Sequence, residues 1–277
     1  MLKLGDTNHL QVIKEVDFGY FLDGDEEGEI LLPRNQTQKL YSIDEWIDVF
    51  IYLDSEDRLV ATTKTPLGKV NQFSFLKVAQ VNPVGAFLDW GLSKDVLVPF
   101  HEQKKPMEAH KSYLVYIYLD TRSHRITASS RFDRFLDYYN DLFEEGQKVD
   151  IIIQSQTDLG YKCIVNHTHW GILYKNEVFE RLKIGQAMES NIKKIREDGR
   201  IDLCLHQPGY GKIDGISERI MKKLKSCEGF INVSDKSDPE IIYQEFGVSK
   251  KAYKKAIGAL YKKRVITLVK GGVRLID

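Results

Sequence analysis

Along most of the chain, hydrophobic positions come in short runs separated by Gly, Asp, Asn and Pro. From Gln72 onward the runs read QFSFLKVAQV, GAFLDWG, DVLVPF, YLVYIYLD and RITASS. Runs of this length, bounded by turn formers, predict five short strands. Five such strands in about 65 residues predict a small closed β-barrel, with alternate residues pointing inward and outward along each strand. Before the fourth strand lies an irregular stretch, HEQKKPMEAHKS, long enough for one turn of helix.

The same pattern is written more than once. IYLDSEDRLVATT begins at Ile51 and IYLDTRSHRITASS at Ile117, an offset of 66 residues. At that offset Gly19–Asp23 falls on Gly85–Asp89, and Glu29–Pro33 falls on Asp95–Pro99. At a further offset of 75, Gly85 falls on Gly160, Val96–Val98 on Gly171–Leu173, and Arg125-Ile126 on Arg200-Ile201. Three blocks in register make an internal repeat. They place barrels at 1–63, 64–130 and 146–210. An arginine (Arg58, Arg125, Arg200) opens the last strand of each copy, and Asp198-Gly199 signals a tight hairpin before the third. Between the second and third copies, Phe132, Phe135, Leu136, Tyr139, Leu142 and Phe143 recur at helical spacing. That spacing predicts a linker helix over 131–145 that packs one barrel against the next.

Past residue 214 the period changes. Ile216, Ile220 and Leu224 share one helical face; FINV reads as a short strand. Asp238 caps a second helix with Pro239 at its first position. Ser249 caps a third, whose buried face is Val248, Tyr253, Ala256, Ile257 and Leu260. VITLVKGGVRLI reads as a hairpin turned at Gly271-Gly272. Helix, strand, two helices and a hairpin over 215–277 is the layout of a winged helix. The expected fold is therefore mainly β: three tandem barrels followed by a C-terminal winged helix.

Composition adds little until it is divided. The chain has 277 residues and a formal net charge of +0. Residues 1–62 carry 5 basic and 14 acidic side chains, whereas 215–277 carry 14 and 7. An acidic front and a basic tail point to a polyanion partner for the rear of the chain. No apolar run approaches a membrane span, and the first residues lack the pattern of a secretory signal. The three cysteines have no CxxC spacing, so neither a disulfide framework nor a zinc site is suggested, and a reducing cytoplasm fits. No phosphate loop, zinc helix or nucleophile elbow is present. His167 and His169 make a His-x-His without an evident third ligand, and an exposed turn is the expectation there. No catalytic residue, metal or cofactor is expected.

GAFLDWG…VLVPFHE and IGQAMESNIKKIREDGRIDLCL resemble the S-one domain, an RNA-binding module repeated in a large ribosomal protein of the small subunit. The resemblance implies an oligonucleotide-binding (OB) fold for each copy. Three such barrels and a winged helix, in that order, resemble the conserved virulence factor B family. That resemblance implies a cytoplasmic, non-enzymatic RNA-binding protein that regulates gene expression, virulence genes included. Departures are visible. The family's third-strand histidine is Pro33, Pro99 and Tyr174 in the three copies. Its first phenylalanine survives as Phe18 but becomes Val84 and Leu159, and its second runs Phe21, Phe87, Lys162.

A binder of single-stranded RNA needs exposed aromatics for stacking and cations along the strand path. By the family pattern Phe18, Phe21 and Phe87 are stacking candidates, although alternation alone does not say which face they take. Tyr174 is a fourth. Arg58, Arg125 and Arg200, with Lys193 and Lys194, are candidate phosphate contacts; the alternative for the arginines is an ion pair with an acidic turn residue. Acidic barrel one is expected to bind RNA least and to contact protein instead. In the winged helix, Lys250, Lys251, Lys254, Lys255, Lys262, Lys263 and Arg264 suit a sequence-independent contact to an RNA or DNA backbone. Lysines favour phosphates, whereas base reading favours Arg, Asn and Gln. No membrane contact is expected. The competing reading is a protein-interaction scaffold of a transcription or RNA-degradation complex, with structural barrels.

Overall fold

A computed structural model describes residues 2–37, 39–139, 142–175, 178, 181–205 and 211–276, the side chains of 211–215 excepted. It is mainly β. The first five strands are β1 (Thr7–Val16), β2 (Gly19–Asp23), β3 (Glu29–Pro33), β4 (Trp46–Leu53) and β5 (Leu59–Thr62). They close in the order β1-β2-β3-β5-β4. The second barrel repeats this with β6 (Gln72–Asn82), β7 (Gly85–Asp89), β8 (Val96–Pro99), β9 (Ser112–Leu119) and β10 (Ile126–Ser129). The third uses β11 (Lys148–Gln156), β12 (Gly160–Val165), β13 (His169–Tyr174), β14 (Ala187–Ile195) and β15 (Ile201–Cys204). A single 3-10 turn follows the third strand in the first two copies, at Arg34–Gln36 and Phe100–Glu102.

Two local devices recur and explain the repeated residues. The first strand of each barrel carries a register irregularity at one position: Val12/Lys14, Val78/Gln80 and Ile153/Ser155. A bulge bends the strand, so its front half pairs with the fourth strand and its rear half with the second. The glycine that opens each second strand lies against the third. A Cβ on Gly19, Gly85 or Gly160 would sit 2.2, 2.4 or 2.2 Å from the carbonyl oxygen of Leu32, Val98 or Leu173. Only glycine permits that approach, which is why it is written three times.

The barrels are packed together. Phe50, Tyr52 and Val60 of barrel one join the buried cluster of barrel two, which includes Trp90, Leu92, Val96 and Ile117. Phe50 and Trp90 meet edge to face, with centroids 5.7 Å apart. Between barrels two and three, Phe73, Leu114 and Tyr116 bury against Phe132, Leu136, Ile164 and Trp170. The turn before β14 presses Gly185 onto the Phe75 ring, where a Cβ would be 2.3 Å from Cγ.

The connector between these barrels corrects one expectation. Its described residues form turns and one bridge, not a helix. Asp137 pairs in parallel with His169: its amide donates to the Thr168 carbonyl at 2.8 Å and its carbonyl accepts from the Trp170 amide at 3.1 Å. Phe, Asp, Tyr and Asn dominate the segment and are poor helix formers. Its apolar residues instead insert separately, and Phe135 stacks on Tyr116 at 4.2 Å. The packing role is filled without the helical period. Of the two histidines, His167 lies on the 166–168 turn but is half-buried, and His169 opens β13. His169 is buried, with Nε2 3.1 Å from the Tyr139 carbonyl. His167 Nδ1 accepts from the Phe73 amide at 2.9 Å, across the joint.

The C-terminal unit is a winged helix: α1 (Gly211–Ser226), β16 (Phe230–Ile231), α2 (Pro239–Phe246), α3 (Lys250–Lys262), β17 (Ile266–Val269) and β18 (Gly272–Leu275). Residues 206–210, assigned above to the end of barrel three, lie outside the described residues. Asp238 accepts from the Glu240 amide and Ser249 from the Ala252 amide, as their positions require. The wing turns one residue earlier than expected: Val269 pairs with Gly272, leaving Lys270 and Gly271 in the loop. Ile220, Leu224, Tyr253, Ala256 and Ile266 form its core.

Candidate nucleic-acid interface

Strand alternation decides which face each candidate takes. Tyr20 and Leu22 fill barrel one, so Phe21 between them stands half-buried outside. Ala86 and Leu88 likewise turn Phe87 outward, and Tyr161 and Cys163 turn Lys162 outward. At the preceding loop tip Phe18, Val84 and Leu159 are all exposed. Phe18 meets Phe21 edge to face at 6.3 Å, and the Lys14 ammonium lies 5.6 Å from the Phe21 centroid.

On barrels two and three this outer position opens into a cleft. Its walls are the tip after the first strand, the second and third strands, and the start of the fifth. On barrel two it holds about 220 Å³, walled by Val84, Phe87, Leu97, Arg125 and Ile126. On barrel three it holds about 440 Å³, walled by Leu159, Lys162, Ile172, Arg200 and Ile201. These are the same five positions, 75 residues apart. The barrel-two cleft shares Leu97, Arg125 and Thr127 with a wider groove of about 1040 Å³ that runs to Tyr118, Arg134 and Phe135. There the Arg134 guanidinium lies 4.5 Å from the Phe135 centroid and bonds Glu102 at 2.9 Å.

What reaches into each cleft differs. In barrel three the connector supplies Tyr138, 46% exposed, and β13 supplies Trp170. The Lys162 ammonium lies 3.5 Å from the Trp170 centroid and 5.9 Å from that of Tyr138. Burial holds this lysine below its ordinary pKa, with Asp133 pulling the other way. In barrel two the neighbouring barrel supplies Leu53 to the cleft wall, and Asp57 pairs with the cleft cation Arg125.

All three strand-five arginines are exposed and carry a turn carboxylate. Arg58 pairs with Asp54 at 2.7 Å and Glu56 at 3.0 Å; Arg200 meets Asp198 at 3.5 Å. Tyr174 is half-buried, donates to Asp202 at 3.4 Å and accepts from Arg196. Lys193 and Lys194 are both exposed, because β14 shifts register between Ile192 and Lys194. In the winged helix Lys251, Lys254, Lys255, Lys262, Lys263 and Arg264 are exposed and Lys250 is half-buried. Lys254 lies 3.9 Å from Asp235. Among the described residues no group of three or more His, Cys, Asp or Glu could hold a metal ion, and no helix is long and apolar enough to cross a membrane.

Tyr138, Trp170 and Arg134 were not among the sequence candidates. For Arg134 and Tyr138 the signal is the interleaving of basic and aromatic residues in SRFDRFLDYY, which the helical period masks; Trp170 lies outside it, beside the His-x-His.

The fold and these clefts define a tandem S1-type OB-barrel protein closed by a winged helix. The S1 domain family matches residues 4–64, and the CvfB-like winged helix domain matches 218–275. The YitL protein of Bacillus subtilis is 28% identical over 94% of this chain and 90% of its own length. Conserved virulence factor B of Staphylococcus saprophyticus is 25% identical, covering 98% of this chain and 94% of that protein. The Staphylococcus aureus N315 protein of the same name is 23% identical with the same coverage. A crystal structure of a multidomain protein with nucleic acid binding domains from Streptococcus pneumoniae aligns at 23% identity with a TM-score of 0.44, over 99% of this chain and 98% of that one. The chain is thus similar over nearly its whole length to conserved virulence factor B proteins, and its C-terminal unit matches the CvfB-like winged helix domain.

Proposed function

We propose that this chain is a non-enzymatic, single-stranded RNA-binding protein that regulates gene expression post-transcriptionally, acting in the cytoplasm. One observation carries the reading. The same outer cleft recurs on successive barrels, and on barrel three it joins an exposed aromatic, Tyr138, to two cations, Lys162 and Arg200. A base stacks on the first and backbone phosphates meet the others. One stacked base contributes about 1–3 kcal/mol, so a single cleft binds weakly. Tandem sites on one chain raise the effective concentration of the next contact, and the winged-helix lysines extend the phosphate path without reading bases. Regulation of virulence genes follows by kinship alone.

The test is fluorescence anisotropy of a labelled 20-nucleotide RNA in rising salt. Log affinity should fall by about 0.7 per phosphate neutralised. No binding at low salt rejects the reading.

A protein-scaffold role is favoured by one feature. Barrel one exposes Leu40, Ile43 and Trp46 beside Asp44, Glu45 and Asp48, and Trp46 stacks on His9 at 5.4 Å. An acidic rim around apolar side chains suits a basic protein segment better than RNA.

A further inference from the structure

The hairpin joining β4 to β5 carries an acidic tip, Asp54-Ser55-Glu56-Asp57, and it does not end in solvent. The Asp57 carboxylate pairs with Lys94 at 3.2 Å and with the Arg125 guanidinium, both on barrel two. Lys94 also donates to the Asp54 carbonyl. Just behind the tip, Tyr52 and Ser93 share a hydroxyl hydrogen bond of 2.8 Å, and Leu53 walls the same cleft as Val84, Phe87 and Arg125. The hairpin is seated by the apolar joint of Phe50, Tyr52 and Val60 with Trp90.

The equivalent hairpins lack this device. In the second copy the tip reads Asp120-Thr121-Arg122-Ser123-His124, and its one carboxylate, Asp120, turns back to accept from Ser123. In the third, Asp198 turns back to its own Arg200. Among the described residues, it is the barrel-one hairpin whose tip carboxylate pairs with cations of the next barrel. A carboxylate held between a lysine and an arginine at the mouth of an apolar, aromatic-lined cleft has the charge and acceptor geometry of a phosphodiester oxygen. The lysine and the aspartate are each about two-thirds covered and the arginine is more open (37, 35 and 61% exposed). Ion pairs at this exposure contribute little net stability. They yield to a competitor that brings several phosphates at once.

We propose that Lys94 and Arg125 form a second backbone-phosphate subsite, on barrel two, which barrel one keeps filled with Asp57 until an RNA strand held elsewhere on the chain displaces it. The inference rests on the RNA-binding reading and adds a latent site and its internal competitor. Because the barrels share a core, opening needs only a side-chain swing at the hairpin tip and no separation of domains. Lys94 and Arg125 keep the Asp57 carboxyl below the usual carboxylate range, Lys94 contributing most, so Asp57 remains an anionic competitor at neutral pH.

The experiment uses the full chain and a labelled 20-nucleotide oligouridylate, with affinity read across a KCl series. Asp57→Asn is the probe. Asp57 sits at φ 61°, a conformation asparagine tolerates, so the turn is preserved. Glu26→Gln, on an exposed turn of the same barrel, removes the same charge away from barrel two. Asp57→Asn is expected to tighten low-salt binding about tenfold and to steepen the salt slope by about 1.4, the value for two more single-strand phosphates. Glu26→Gln should change affinity less than about twofold and leave the slope alone. Adding Arg125→Ala to Asp57→Asn should erase the gain. If the parent binds RNA and Asp57→Asn gains nothing, the subsite is wrong and the RNA reading stands. It is equally wrong if Glu26→Gln matches the gain, or if the gain survives Arg125→Ala. If neither the parent nor any variant binds, the RNA reading falls and the subsite with it. A thermal melt of each variant verifies that the barrels are intact.

Discussion

Barrels two and three share a strand order, a bulge, a close-packed glycine and a cleft at equivalent positions, yet they are not equally available. The barrel-three cleft is built outward by its connector, which adds Tyr138 and leaves about 440 Å³ open. The barrel-two cleft has half that volume, and a neighbour's carboxylate sits on its cations. Duplication supplied the same surface twice. What each surface can do was then set by the segment laid beside it: a connector rich in aromatics in one case, an acidic hairpin in the other.

The strongest way to break this contrast is to unseat the hairpin. Trp90 is buried, meets Phe50 edge to face and donates to the Lys94 carbonyl at 2.6 Å. Trp90→Ala should cost about 3–5 kcal/mol, as for other large-to-small core changes, read from urea unfolding. A smaller effect sharpens the contrast at the clefts themselves. The triple change Tyr138→Ala, Lys162→Ala, Arg200→Ala should weaken RNA binding about 100-fold, or about 2.7 kcal/mol. The matched change Val84→Ala, Phe87→Ala, Arg125→Ala should cost about threefold, because the cleft cation Arg125 is already engaged by Asp57. Equal losses in anisotropy titrations would abolish the distinction.

The smallest effect concerns the joint that holds the two barrels in place. Burial pushes His167 below the ordinary imidazole pKa, Asp150 opposing. Its Nδ1 accepts from the Phe73 amide, which a second ring proton would forbid. The unfolded chain therefore takes up the proton first. The stabilisation is complete above the ordinary imidazole range and declines as pH falls through about 6.5 toward the folded value. Thermal melts at stepped pH should show this decline in the parent and a flatter profile in His167→Gln. Parallel profiles would remove His167 from the account.

Much of this architecture was legible in the chain. Short apolar runs between turn formers, repeated at fixed offsets, specify local strands, and the repeated glycines and arginines mark their ends. Asp238 and Ser249 announce their helices because capping is local chemistry. Non-local contacts stayed hidden. Phe132 to Phe143 show a helical period, yet they are spaced to meet two barrels, and no local pattern separates these cases. Phe21 and Phe87 could be placed outside only once Tyr20, Leu22, Ala86 and Leu88 were seen to fill the barrels. The pairing of Arg125 with Asp57 spans 68 residues and joins two copies of the repeat. A reading made within each copy misses it, although Asp57 itself is plain in the sequence. Tyr138 was lost for the same reason, since it belongs to no copy.

The shared cluster around Trp90 has one more consequence. Sequence duplication drew its border near residue 63, whereas cooperative unfolding draws none there, since Phe50, Tyr52 and Val60 lie across the seam. A fragment cut at that border would carry raw apolar surface on both sides and be prone to aggregate. Because Phe73, Leu114 and Tyr116 bury against the connector and barrel three in the same way, the smallest dissectible piece is the run of three barrels together, expected to melt in a single transition.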